Sequence, residues 1–184
     1  DFTYIKLATG VGSGHMIDGR IYRGGSGVAG EIGHLTIDPN GLPCNCGNRG
    51  CLGTYVGSEA LVARARTLAP QVPGTRLSLE TLTVTAIEEA ALAGDPLAIQ
   101  LMHEAAEVLG IAVAGVLNLL NPQVVILDGG LARLEEQLLQ PLRETVMRRT
   151  FVSAVASACI RSSTLGTFGA ALVLFYPPLQ ERLL

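Results

Sequence analysis

The sequence predicts an α/β fold, a mixed sheet flanked by helices, on three observations. Residues 3–7 and 15–22 form a β-meander, residues 123–127 and 158–161 are later runs of strand length, and helical periodicity fills most of the chain after residue 58. Strands alternating with helices after an initial meander are the mark of this class.

Taken in order, residues 3–7 and 15–22 are separated by the glycine-studded connection 8–14, with Asp18-Gly19 as a further turn. Between residues 23 and 51 the density of Gly, Pro, Asn and Asp forbids a long helix, although residues 32–37 suit one more short strand. Ser58 reads as the N-cap of a helix that Pro70 ends. Residues 82–93 give a second helix closed by Gly94. Asp95-Pro96 opens a third, because Asp caps and Pro fits the first turn, and Asn121-Pro122 stops it near residue 120. A buried strand at 123–127, the turn Asp128-Gly129-Gly130, a helix at 134–149, a short strand at 158–161 and a terminal helix beginning at 169–175 complete the chain.

Composition narrows the function. With 184 residues, 48% of them hydrophobic, the chain folds rather than remaining disordered, and it has the length of one domain. Thirteen Lys and Arg against 16 Asp and Glu leave a net charge of −3, so no basic face is expected to meet nucleic acid directly. The longest unbroken apolar run, residues 108–117, falls short of the ~20 residues of a membrane span, so no membrane partner is expected. No leader pattern opens the sequence, which makes a cytoplasmic location the expectation.

Cys44, Cys46 and Cys51 crowd into eight residues, with His34 ten residues upstream of the first. Three thiolates and an imidazole are the donors a tetrahedral zinc ion selects, and a closed set of four leaves no open position, so the metal's role would be structural. Disulfide bonding and free thiols are the alternatives; an odd cluster without an export pattern speaks against a disulfide framework. Cys159 lies in strand-like surroundings and reads as a core residue, and His15 and His103 read as ordinary surface or core histidines. Thr9-Gly10-Val11-Gly12-Ser13-Gly14 offers amides that an anion can approach, or simply a tight hairpin. Asp128-Gly129-Gly130 is either a close-approach site for a flat ligand or a tight turn. Glu31 can accept hydrogen bonds from sugar hydroxyls or be a solvated acid, while His34 has one nitrogen for a metal and a second for a ligand.

Four stretches resemble the ROK family of bacterial sugar kinases and sugar-responsive transcriptional repressors. They are the Thr9 to Gly14 turn, Gly30-Glu31-Ile32-Gly33-His34, the block from Cys44 to Leu52, and the run from Asn121 to Gly130. The resemblance covers the whole chain and implies the carboxy-terminal lobe of a two-lobed, actin/hexokinase-like (ribonuclease H-like) ATPase fold, with a zinc loop at about residues 31–53. It further implies a structural Zn2+ on His34, Cys44, Cys46 and Cys51, and a hexose or amino-sugar ligand touching Glu31 and His34. In the family's kinases Thr9 and Gly10 would approach ATP phosphates, and Gly129 and Gly130 would lie near the adenosine. The general-base aspartate belongs to the amino-terminal lobe, so no catalytic residue is expected in these residues and the segment alone would be inert. The family also implies a homodimer, with DNA reached only through an upstream domain.

Two departures favour a repressor over an ATP-dependent, glucokinase-like sugar kinase that would use Mg-ATP. Ala8 replaces the first glycine of the phosphate turn, where a special backbone angle is then harder to reach. Gly53 stands where family kinases carry a sugar-contacting glutamate, a loss of about 1.5–3 kcal/mol for a charged hydrogen bond.

Overall fold

The structure, a computed structural model, describes residues 1–151 and 158–163. Five strands, β1 (Phe2–Leu7), β2 (Val11–Ile17), β3 (Arg20–Tyr22), β4 (Val124–Gly129) and β5 (Cys159–Ser162), form one mixed sheet in the order β3-β2-β1-β4-β5. The meander accounts for the antiparallel half, β1 with β2 and β2 with β3. β4 then pairs parallel with β1, Leu7 opposite Gly129, and β5 pairs parallel with β4. Parallel strands need a crossover, which the helical middle of the chain supplies. The C-terminal ends of β1 and β4 therefore lie side by side, where open α/β sheets bind ligands.

The helices are α1 (Gly53–Val56), α2 (Ser58–Leu68), α3 (Val84–Leu92), α4 (Pro96–Leu120) and α5 (Glu136–Arg149). α4 is the centre of the core: Leu97, Leu101, Ala105, Leu109, Ala112 and Leu117 are all buried. By length and composition α4 could cross a bilayer, but 61% of its apolar window is packed inside the molecule. Asp95 caps it as expected, accepting from the backbone N–H groups of Leu97 at 3.0 Å and Ala98 at 3.1 Å, and Asn121 ends it in the left-handed conformation. α5 packs along α4, and Gly110 is a point of close approach: a methyl there would sit 2.7 Å from Thr145 Cβ and 2.9 Å from the Leu142 carbonyl.

Several expected elements differ. The glycine-studded connection is shorter than 8–14, because Val11 to Gly14 already belong to β2, leaving Ala8-Thr9-Gly10 as the turn. Residues 32–37 do not form a strand. Gly30 and Gly33 press so closely on the backbone of Ser13 and Val11 that the chain coils into a 3-10 turn, Ile32–His34, which keeps Ile32 buried. Only a single bridge, Thr36 to Cys51, remains of the strand. Ser58 is not the N-cap of α2; Gly57 holds that position and the Ser58 hydroxyl donates to the Ala8 carbonyl at 2.9 Å. The second and fourth expected helices begin two residues later, at Val84 with Thr83 as cap and at Glu136 after a 3-10 turn. Cys159 is exposed rather than in the core, since the alternation of β5 turns Ile160 inward instead. The expected terminal helix at 169–175 lies outside the described residues.

Candidate metal centre and ligand cleft

Residues 35–52 fold back on themselves through local hydrogen bonds. Ile37 N–H donates to the Gly50 carbonyl at 2.7 Å, Gly50 N–H to Leu42 at 2.7 Å, Cys44 N–H to Asn48 at 2.8 Å and Leu52 N–H to Leu35 at 2.9 Å. This fold brings one donor atom each of His34, Cys44, Cys46 and Cys51 within 4.8 Å of one another. Cys44 Sγ lies 3.6 Å from His34 Nδ1, and Cys46 Sγ lies 3.6 Å from Cys51 Sγ. A tetrahedron with Zn–S of about 2.3 Å has S···S edges of about 3.7 Å, so the four donors fit a single ion of that size. Beside Cys46, the backbone N–H of Asn48 holds the thiol down at about 7, whereas burial pushes the Cys51 thiol up to about 12. The chain thus ionises its thiols unequally, and a metal must displace the Cys51 proton to bind.

The imidazole faces two ways. With Nδ1 toward the thiols, Nε2 lies 4.0 Å from Glu31 Oε2, and both side chains are open to solvent. Gly30 sets this segment in place. Its φ of 109° suits glycine, and any Cβ there would strike the Ser13 carbonyl oxygen. Ser13 in turn holds Gly30 by two contacts to its carbonyl, from the backbone N–H at 2.7 Å and from the hydroxyl at 3.0 Å.

His15, passed over in the sequence, stands behind that grip. Its Nε2 is 3.2 Å from Ser13 Oγ and its Nδ1 is 3.0 Å from Thr3 Oγ1, and burial lowers its pKa. A histidine alternating in phase with Ser13 on one strand was the only trace of this in the sequence. His103, by contrast, is a surface residue near Glu107.

A second concavity lies at the adjoining C-terminal ends of β1 and β4. Thr9, Gly129 and Gly130 line one cavity of about 300 Å³, together with Lys6, Ser58 and Glu88; Gly10 does not reach it. The two glycines have separate structural reasons. Gly129 has φ 112° and abuts the Leu7 carbonyl, while the Glu88 carboxylate fills the space a side chain at Gly130 would need. Neither Ala8 nor Gly10 has a positive φ, so the turn makes no use of glycine's conformational freedom and Ala8 imposes no strain. A larger concavity of about 700 Å³, between α2 and α4, contains none of the expected site residues.

The model of the ROK family matches residues 1–174. The chain is 33% identical over 169 residues to a xylose repressor of Caldicellulosiruptor bescii, covering 90% of this chain and 42% of that protein. It is 34% identical over 168 residues to a glucokinase of Halalkalibacterium halodurans, covering 88% of this chain and 51% of that protein. The chain thus spans about half the length of these curated relatives. Among solved structures, the ROK family glucokinase of Streptomyces griseus in complex with glucose and AMPPNP superimposes with a TM-score of 0.82 at 32% identity, covering 91% of this chain and 57% of that one. Repressors and kinases match alike, the mixed sheet is the one the resemblance implied, and the His–Cys cluster could hold a metal ion. The chain belongs to the ROK family.

Proposed function

We propose that this chain is the sugar-sensing, carboxy-terminal lobe of a ROK transcriptional repressor, with a structural zinc ion on His34, Cys44, Cys46 and Cys51. A metal on Nδ1 fixes the proton of His34 on Nε2, which can then donate while Glu31 accepts. Their 4.0 Å separation leaves room for one sugar hydroxyl to meet both. The ion holds the ring in that pose and takes no part in chemistry. In the intact protein, sugar would favour one arrangement of the lobes and so bias an upstream DNA-binding segment, by its differential affinity for the two arrangements.

The observation that carries the repressor reading is Gly53. It opens α1 beside the Glu31–His34 segment, where it supplies no carboxylate, and a Cβ there would meet the Gly33 carbonyl at a tight 3.3 Å. A second reading, the lobe of a sugar kinase, is favoured by the shared cavity of Thr9, Gly129 and Gly130. Full-length protein incubated with Mg-ATP and a panel of hexoses and amino sugars distinguishes them: sugar binding without phosphorylation is expected, and robust turnover overturns the repressor reading. Glu31→Ala is expected to weaken sugar binding about tenfold or more, the scale of a charged hydrogen bond, in a calorimetric titration. The intact protein is expected to sediment as a homodimer.

A further inference from the structure

Cys46 and Cys51 face each other in the His–Cys cluster with 3.6 Å between their sulfurs, while Cys44 turns its sulfur toward His34 Nδ1. The surroundings of the two differ. Cys51 is wholly buried at the root of the loop, whereas Cys46 is exposed, as are its neighbours Asn45, Gly47, Asn48 and Arg49. A disulfide holds its sulfurs about 2.0 Å apart, so the pair must close by roughly 1.5 Å. The turn between them can supply that movement. Gly47 has nothing within 4 Å of where a Cβ would stand, which leaves the Cys46 side unconfined, while Gly50, next to Cys51, is pressed against the Asp38 carbonyl. One thiol is therefore accessible and movable and the other shielded and fixed, the arrangement of an attacked and a resolving cysteine.

We infer that Cys46 and Cys51 are an oxidant-responsive pair, a modification site for hydroperoxides that opens the metal centre. The Cys46 sulfur attacks one oxygen of hydrogen peroxide, the O–O bond breaks, and Cys46 becomes a sulfenic acid. The Cys51 sulfur then displaces that hydroxyl and the S–S bond forms. Each displaced oxygen takes up a proton and leaves as water; the thiols together lose two electrons and the peroxide accepts them. With these donors tied to each other, only His34 and Cys44 remain of a set of four, too few to retain a zinc ion. The inference rests on the zinc reading of the proposed function and adds a consequence to it. The oxidised loop no longer fixes the His34 ring, so hydroperoxide weakens sugar binding.

The test uses the full-length, zinc-loaded protein carrying Cys159→Ser, which removes the thiol of this chain that lies outside the cluster. It is treated with hydrogen peroxide and followed by a chromophoric zinc chelator, intact mass and peptide mapping. Zinc release is expected in step with the loss of a pair of hydrogens, together with a peptide linked through Cys46 and Cys51, and a thiol reductant with added zinc is expected to restore the starting state. In calorimetric titration, sugar affinity is expected to fall about tenfold or more on oxidation and to return on reduction. The inference is overturned if Cys44 is the linked partner, if the sulfurs gain oxygen without a link, or if the zinc stays bound after the thiols are consumed. A zinc-loaded protein that resists peroxide sinks this inference alone, whereas a protein that takes up no zinc sinks the zinc reading with it. Zinc release and the disulfide with sugar affinity unchanged uphold the modification site and count against His34 as a sugar contact.

Discussion

Ser13 has one hydroxyl proton, and the Gly30 carbonyl accepts it at 3.0 Å. Ser13 Oγ must therefore accept from His15 Nε2–H, which leaves Nδ1 to accept from the Thr3 hydroxyl and fixes the imidazole as neutral and singly protonated. Protonation would put a second N–H toward Thr3 in a half-buried position. Because burial lowers the folded-state pKa of His15 below its ordinary 6.5, the unfolded chain takes up the proton first as pH falls. Stability is thus present above pH 6.5 and is lost as pH drops from there through the folded-state value. Denaturation of the wild type and of His15→Gln, each followed between pH 7.5 and 5, is expected to show a steeper pH-dependent loss in this window in the wild type. Equal slopes would mean that the ring does not carry the effect. A second consequence is positional. His15→Ala removes the support of Ser13 without touching a ligand, so sugar affinity should fall by less than in Glu31→Ala, and titration calorimetry on both variants orders them.

Elements whose determinants are local were legible in the sequence, and those fixed by distant partners were not. α4 could be read from its two ends, the Asp95-Pro96 start and the Asn121-Pro122 stop, because caps act within a few residues. The cysteine spacing disclosed the clustering of His34 with the three thiols for the same reason. The 3-10 turn at Ile32–His34 is imposed by β2, which lies some 20 residues upstream and contacts it through glycines that look like ordinary loop residues. Glu88 was illegible because an acid in an amphipathic helix normally faces water; only the packing of α3 on the 3-10 turn that follows β4 places Gly130 against it. The α4–α5 contact, also hidden, yields a stability prediction. Gly110→Ala adds a methyl 2.7 Å from Thr145 Cβ, and its gain in helix propensity, about 1 kcal/mol, is outweighed by overpacking that costs about 1–3 kcal/mol. A net loss is expected by urea denaturation, and Thr145→Ser in the same background, by removing a methyl, should recover part of it. A stabilised Gly110→Ala would show that the helices separate freely.

At the scale of the molecule, three stretches distant in sequence meet at one end of the sheet. The Ala8 carbonyl is held by the Ser58 hydroxyl and backbone N–H, Gly30 by Ser13, and Gly129 by its register with Leu7. The His–Cys loop is rooted at this end by Ile32 and Leu52, both buried in the main core, and the backbone hydrogen bonds between them are internal to the loop. Residues 35–50 contribute no buried side chain of their own. Beyond Ile37, which packs against the core, and Tyr55, which reaches Asp38 and Leu42, the proposed metal on His34, Cys44, Cys46 and Cys51 would be the loop's main cross-link, while the helices and sheet rest on a core centred on α4. Removing the metal should consequently release the loop and leave the rest folded. After chelation, hydrogen exchange at the amides of Ile37, Cys44 and Gly50 is expected to accelerate strongly while the amides along α4 keep their protection. Sugar binding should fail at the same time, because His34 then loses the bond that fixes its ring. Since the Cys51 thiol is pushed up to about 12, reloading must expel its proton, and metal affinity should drop steeply as pH is lowered from 7.5 to 6. Global exchange on chelation would make the loop part of the core, and unchanged loop protection would mean that its hydrogen bonds suffice without an ion.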